Sequence, residues 1–209
     1  MSELHWETIE DAQRKALASL KEFVKTGVLG GGTALALQLG HRKSVDLDFF
    51  IEKLVSLHLV SKIQQYYGRI ETMVRTGDEF TFISPYGVKI TFLFYPYRAL
   101  YAVIPTASVS FFDWRDIALD KAHTIGRRQE WRDYVDLYRC VRNGFSLEDI
   151  MRGAQKKFGD SFSPKLFLSQ LVYMEDIKEF SSVEFVGEAI LPIDVKQFFE
   201  QEVGKLPIP

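Results

Sequence analysis

Asp46 and Asp48 are the two side chains best placed by spacing to do chemistry together. They lie within the stretch Val28–Phe50, VLGGGTALALQLGHRKSVDLDFF. In an extended strand successive side chains alternate faces, so the two carboxylates project to one side with Cα atoms roughly 7 Å apart. Val45, Leu47 and Phe49 then point to the other side, into a core. Two adjacent carboxylates repel and raise each other's pKa unless a cation stands between them. A hard divalent ion, Mg²⁺ or Mn²⁺, suits that seat because it takes oxygen ligands and keeps room for water and phosphate. Upstream, Gly30, Gly31 and Gly32 lack a Cβ and let the backbone come close to a ligand. Thr33 reads as the start of a helix whose free N–H groups attract phosphate. A phosphate cradle and a metal clamp in one strand–turn–helix–strand unit describe a seat for a nucleoside triphosphate (NTP).

Each half also has a plainer reading. Three glycines before a helix serve as an ordinary loop, and D-x-D arises by chance on strands. Their order in one unit is what joins them. Neither common phosphate signature competes: G-x-x-x-x-G-K-[ST] is absent, and GGGTAL lacks the G-x-G-x-x-G spacing. A haloacid-type phosphatase would need D-x-D-x-[TV], which Phe50 fails. A nucleotide-sugar glycosyltransferase using D-x-D would not need the glycine turn.

Several elements must position this unit. Residues 8–25 carry Ile9, Ala12, Ala16, Leu17, Leu20, Phe23 and Val24 at helical spacing, with Thr8 and Asp11 as a capping signal. Residues 57–67 predict a second helix stopped by Gly68. Three strands are expected at 69–76, 79–84 and 88–95, separated by Thr76-Gly77-Asp78 and Ser84-Pro85-Tyr86-Gly87. The result is an α+β (α/β-like) fold: a mixed sheet with flanking helices. Residues 96–112 read as the crossing to a second half. Asp113 is a candidate N-cap for a helical block, 113–142. In the tail, Ser146 with Asp149, Ser163-Pro164 and Pro192 mark further helix starts. The expected division is a core at 1–110 and a helical C-terminal region at 111–209.

Composition narrows the class. The chain has 209 residues, 46% hydrophobic and 26% charged, as in ordinary globular proteins. One cysteine, Cys140, excludes an internal disulfide framework and fits a reducing cytoplasm. The opening MSELHWETIEDAQRK is polar, and no apolar run approaches the ~20 residues of a membrane span. A net charge of −2 means that a nucleic-acid partner would need a local basic patch.

Gly31-Gly32-Thr33-Ala34-Leu35 followed by His41-Arg42-x-Ser44-x-Asp46-Leu47-Asp48-Phe49-Phe50 resembles the AbiEii/AbiGii-type nucleotidyltransferases. These are toxins of bacterial toxin–antitoxin and phage-defence systems, within the DNA polymerase β-like superfamily. The resemblance implies a nucleotidyltransferase mixed-sheet core. It implies NTP as substrate, Asp46 and Asp48 as catalytic metal ligands, and Gly31, Gly32, Thr33, Arg42 and Ser44 around the nucleotide. His41 reads as structural or nucleotide-adjacent, not as a zinc ligand. The acceptor it implies is a tRNA or a protein side chain, with a cognate antitoxin as partner. The wider superfamily commonly places a third carboxylate on a strand where this chain has Thr91; Glu71 and Glu79 are the substitutes at hand. That departure keeps open a catalytically weak or inactive nucleotide-binding or interaction module of the same fold.

A second block, DWRDIALDKAHTIGRRQEWRDYVDLYRCVR, matches the family's K…R…-K/R-D-x-x-D-L wording. The match implies Lys121 and Asp136 as active-site residues, beside Arg132 and Asp133. Lys121 and Asp136 are fifteen residues apart, about 22 Å on one straight helix, so the chain must break between them. Gly126-Arg127-Arg128 is the expected break. Lys121 would sit on the triphosphate, and Asp136 would orient it or act as base. A surface helix with solvated ion pairs is the plainer reading of R-D-x-x-D. On the second helix Trp131, Tyr134, Val135, Tyr138 and Val141 form an apolar stripe. Between 121 and 142 six basic residues face three acids, a modest excess that with Trp131 and Tyr134 could grip an RNA end.

Overall fold

A computed structural model describes the chain except for residues 1–3, 24–26, 107, 126, 129, 176, 178, 181, 182, 208 and 209. It divides into two compact units, Met1–Tyr97 with Ala102–Asp113, and Arg98–Tyr101 with Trp114–Pro209. Among the described residues no helix is long and apolar enough to cross a membrane.

The first unit is built on a five-stranded mixed sheet. In chain order it contains α1 (Asp11–Ser19), β1 (Val28–Leu29), α2 (Gly31–Leu39), β2 (Leu47–Ile51), α3 (Leu57–Tyr67), β3 (Glu71–Arg75), β4 (Glu79–Ile83) and β5 (Lys89–Phe94). The strand order is β1-β2-β5-β4-β3. β2 runs parallel to β5, and the other pairs are antiparallel. The α+β core and its three later strands form as the periodicity predicts. Gly68 ends α3 at φ +72°, and the Ser56 hydroxyl accepts the Leu59 N–H at its start.

Alternation decides what each strand buries. Leu47, Phe49 and Ile51 turn inward with Ile90, Phe92, Phe80 and Phe82, all at most 4% exposed. Asp48, Thr91 and Thr81 take the opposite face at matched register. Val45 departs from the expected inward position: it is 62% exposed. The strand begins only at Leu47, so strand alternation does not reach Val45.

The N-terminal helix is shorter than the expected 8–25. A 3-10 turn at Trp6–Thr8 precedes α1, and another at Leu20–Phe23 follows it. Val24 and Lys25 lie outside the described residues. The cap is Glu10, whose backbone N–H donates to Gln13 Oε1 at 2.8 Å, rather than Thr8 with Asp11. Thr8 instead turns its hydroxyl to the His5 carbonyl at 2.7 Å. α1 also supports the site, since Gln13 Nε2 donates to the Ser44 carbonyl at 2.9 Å.

The second unit is helical: α4 (Trp114–Thr124), α5 (Trp131–Arg142), α6 (Leu147–Phe158), α7 (Pro164–Val172) and α8 (Pro192–Gly204). Ser146 and Ser163 cap α6 and α7 as their sequences predict, and α8 starts at Pro192. Phe158, Phe162, Phe167 and Leu171 are buried, whereas Tyr173 is exposed. Lys157 is buried between Asp116 at 3.0 Å and Asp120 at 2.7 Å. Asp116 also accepts the N–H groups of Leu100 and Tyr101 at 3.0 and 2.7 Å. Those bonds explain why 98–101 belong to this unit, because a buried carboxylate must be satisfied by charge and hydrogen bonds together.

Candidate active site

The glycine turn enters helix α2 earlier than the sequence suggests. α2 starts at Gly31 with Gly30 as N-cap, two residues before Thr33. Gly31 makes this entry at φ +64°, a backbone state that costs a side-chain-bearing residue about 1–2 kcal/mol. The first-turn N–H groups of Gly31, Gly32 and Thr33 have no acceptor within the helix, which makes this end a seat for anions. Gly30 N–H donates to the Asp48 carbonyl at 2.9 Å, joining the turn to β2.

All three glycines are closely approached, Gly30 by the Phe50 ring, 2.5 Å from where its Cβ would stand. A Cβ on Gly31 would stand 2.7 Å from Asp48 Oδ2. One on Gly32 would collide with Arg42 Nη2 and come within 3.4 Å of Ser44 Oγ. The first turn of α2 is therefore lined by a carboxylate and a guanidinium. Arg42 is buried and donates from Nη1 to the Lys43 carbonyl at 3.0 Å. His41 is buried beside it in sequence.

Thr33 serves this geometry from inside. It is 2% exposed, its hydroxyl donates to the Asp46 carbonyl, and it stands 2.8 Å from Ser44 Oγ. These bonds tie the helix start to the segment that leads into β2. Thr33 is thus a positioning residue, and its hydroxyl is taken up by the chain itself.

Asp46 lies one residue ahead of β2 and pairs with Lys89, Oδ2 to Nζ 2.7 Å. Asp48 sits on β2 directly beside Thr91 of β5. Thr91 Oγ1 is 3.2 Å from Thr81 Oγ1, and Thr81 donates to Glu79 Oε1 at 2.6 Å. Glu79 is thereby linked to the Asp48 neighbourhood through two hydroxyls, whereas Glu71 is on the exposed outer strand β3. Among the described residues no three of His, Cys, Asp and Glu gather into a metal-binding group. Two carboxylates and a hydroxyl still suit Mg²⁺, which draws most of its shell from water and phosphate oxygens.

In the helical unit the chain breaks between Thr124 and Trp131. The expected break covers this gap, although its Gly126 lies outside the described residues. Lys121 then meets Asp136 at 2.7 Å and Asp133 at 2.5 Å, with all three side chains at most 6% exposed. Arg128 donates to Asp133 from Nε at 2.7 Å and Nη2 at 3.0 Å. Burial raises the Asp133 carboxyl, but Lys121 and Arg128 outweigh it and hold the group below its ordinary range. Asp133 is therefore a full member of the cluster, and R-D-x-x-D is not a solvated surface pattern here. Arg132 turns away to Glu130 at 2.7 Å.

Trp131 and Tyr134 cannot stack on RNA. They are 2% and 0% exposed, with Trp131 against Phe180 and the Tyr134 hydroxyl donating to the Gln170 carbonyl at 3.0 Å. Both belong to the apolar stripe, and the helical core claims their rings.

Sequence reasoning missed two partners. One is Lys89, whose pairing with Asp46 depends on the parallel register of β2 and β5. The other is Arg128, which lies in the loop between α4 and α5. The only local signal for Lys89 was its place two residues before Thr91, on the same strand face.

Comparison with known proteins places this geometry. Residues 15–92 match the family described as nucleotidyl transferase AbiEii toxin, type IV TA system. The uncharacterized protein aq_aa25 of Aquifex aeolicus (strain VF5) is 30% identical over 208 residues, covering 93% of this chain and 96% of that protein. MenT4, a nucleotidyltransferase toxin from Mycobacterium tuberculosis H37Rv, has a similar fold: TM-score 0.62 and 16% identity, over 94% of this chain and 82% of that one. JHP933 from Helicobacter pylori gives a TM-score of 0.51 at 16% identity, over 94% of each chain. The family match holds the glycine turn, both aspartates and Thr91, and residues 15–92 of the chain form an AbiEii-type nucleotidyltransferase domain.

Proposed function

We propose that the chain transfers a nucleoside monophosphate from an NTP to a tRNA or protein acceptor and releases pyrophosphate, with a divalent cation held by Asp46 and Asp48. The observation that carries this reading is the contact zone of Gly31 and Asp48, where the anion-seeking start of α2 directly faces a carboxylate. Phosphate and metal would share one seat there. A bound Mg²⁺ or Mn²⁺ would offset charge on the α-phosphate and on the departing pyrophosphate.

The chain's own groups supply the rest. The Gly31, Gly32 and Thr33 N–H groups bind phosphate oxygens, and Arg42 adds a cation at the same turn. Thr33 and Ser44 hold that turn against the segment carrying Asp46. The acceptor hydroxyl gives its proton to water, its oxygen bonds to the α-phosphorus, and the bond from that phosphorus to the α,β-bridging oxygen breaks to release pyrophosphate. The family resemblance also assigns Lys121 and Asp136 to catalysis, and within the helical unit Asp133 and Asp136 hold the Lys121 ammonium between them. An RNA acceptor would be gripped through phosphate by exposed cations such as Arg139 and Arg142, without stacking on Trp131 or Tyr134. The protein would act in the cytoplasm and be restrained by a cognate antitoxin.

A second reading is favoured by Thr91, a neutral residue beside Asp48 where the resemblance leads one to expect an acid. Such a protein would bind NTP and cation yet transfer little or nothing. Incubation with each α-³²P-NTP, Mg²⁺ and total cell RNA or protein separates the two. Label should enter a macromolecule with the wild type and vanish with Asp48→Ala. Label undiminished in Asp48→Ala would remove the role given to that aspartate. No label with any NTP or acceptor would favour the binding module.

A further inference from the structure

We propose that Lys89 is a resident counterion of the metal seat, releasing Asp46 to the divalent cation and turning to the triphosphate. The inference rests on the reading that Asp46 and Asp48 hold that cation.

Register puts Lys89 in this position. β2 and β5 pair Leu47 with Ile90 and Asp48 with Thr91, and Lys89, one step upstream of Ile90, reaches Asp46 just ahead of β2. Lys89 shares its strand face with Thr91, the partner of Asp48. A positive charge nearby favours the ionised form of a carboxylate. For Asp46 that charge is the Lys89 ammonium, 2.7 Å from its Oδ2.

Exposure distinguishes this pair from the other lysine–aspartate contacts. Lys121 and Lys157 are each locked between two carboxylates with side chains 6% and 0% exposed. Lys89 and Asp46 are 37% and 25% exposed, so water can replace either partner. A lysine ammonium is a compact charge on a flexible four-carbon stem and can swing while its backbone stays in the sheet. A doubly charged ion competes for the same carboxylate oxygen and has the stronger attraction. The displaced ammonium remains beside the seat, where triphosphate oxygens are its natural partners.

The two halves of this exchange have opposite signatures. Mn²⁺ binding without nucleotide, followed by the paramagnetic resonance of the free ion, should become about two- to fivefold tighter in Lys89→Met, because an exposed competing pair is lost. Binding of inorganic tripolyphosphate in the presence of Mg²⁺, followed by titration calorimetry, should become about three- to tenfold weaker. Lys89→Arg keeps the charge and should resemble wild type in both. Mn²⁺ affinity unchanged or weakened in Lys89→Met, while Asp46→Asn still abolishes it, would overturn the counterion role. Tighter Mn²⁺ without weaker tripolyphosphate would overturn the exchange. Mn²⁺ binding undisturbed by Asp46→Asn would instead overturn the metal reading itself.

Discussion

Gly31 faces Asp48 so closely that a Cβ on the glycine would lie 2.7 Å from the carboxylate oxygen. The backbone at Gly31 is also at φ +64°, so an alanine there meets both a strained conformation and a blocked space. Gly31→Ala should cost about 1–2 kcal/mol of stability. Displacing Asp48 should lower transfer by about ten- to a hundredfold, since small misplacements at a reacting centre are expensive. Thermal unfolding and label incorporation measure the two effects separately. Full activity in a stable Gly31→Ala protein would contradict the shared seat.

Thr91 is 9% exposed and paired with Asp48 across the parallel strands. Thr91→Asp would bring a further acid beside Asp48. Without divalent cation the variant should lose about 1–3 kcal/mol, from carboxylate repulsion and desolvation. Added Mg²⁺ should recover much of that loss, since a ligand that binds only the folded state stabilises it. Melting temperatures with and without Mg²⁺ test this. A variant indifferent to the ion would argue against a metal seat next to Asp48.

Lys121 neutralises Asp133 and Asp136 in a site that excludes water. Lys121→Met would leave buried carboxylates short of positive charge, a change worth about 3–5 kcal/mol in comparable sites. Urea unfolding should show that loss. Reduced activity in this variant must therefore be judged beside its stability.

Arg128 gives the cluster a pH signature. Its side chain is 46% exposed but its partner Asp133 is fully buried, so Arg128→Met should cost about 1–3 kcal/mol at neutral pH. The Asp133 carboxyl is held below its ordinary value of 3.8, where burial alone would raise it and Lys121 with Arg128 lower it. A depressed carboxyl contributes stability above its unfolded value and loses it as pH falls through the folded one. The acid loss due to Asp133 is thus confined below about pH 3.8 in the wild type. Removing Arg128 lets the folded value climb, so acid unfolding should begin at a higher pH. Circular dichroism across an acid titration shows the shift, and superimposable curves would contradict it.

Local rules made much of the fold legible. Alternation placed Leu47 and Phe49 in the core and Asp48 opposite them, and Gly68, Ser146 and Ser163 punctuate their helices as expected. Each of those features depends on neighbours within a few residues. The weaker points also had local causes: Val45 precedes the strand, and the cap at Glu10 replaced the Thr8 signal through a reciprocal bond with Gln13. The charges were harder. Arg-Asp-x-x-Asp reads as a solvated face from spacing alone, yet Asp133 and Asp136 are fully buried.

The order of residues determined the glycine turn, the paired acids and the helix that follows the turn, because turn geometry and side-chain alternation operate over a few positions. Tertiary structure decided which charges meet. Asp46 finds Lys89 through the register of two parallel strands, and Lys121 finds Asp133 and Asp136 through the return of one helix upon another. Burial then turned those meetings into paired charges, because an ion withdrawn from water must be compensated by the groups that surround it.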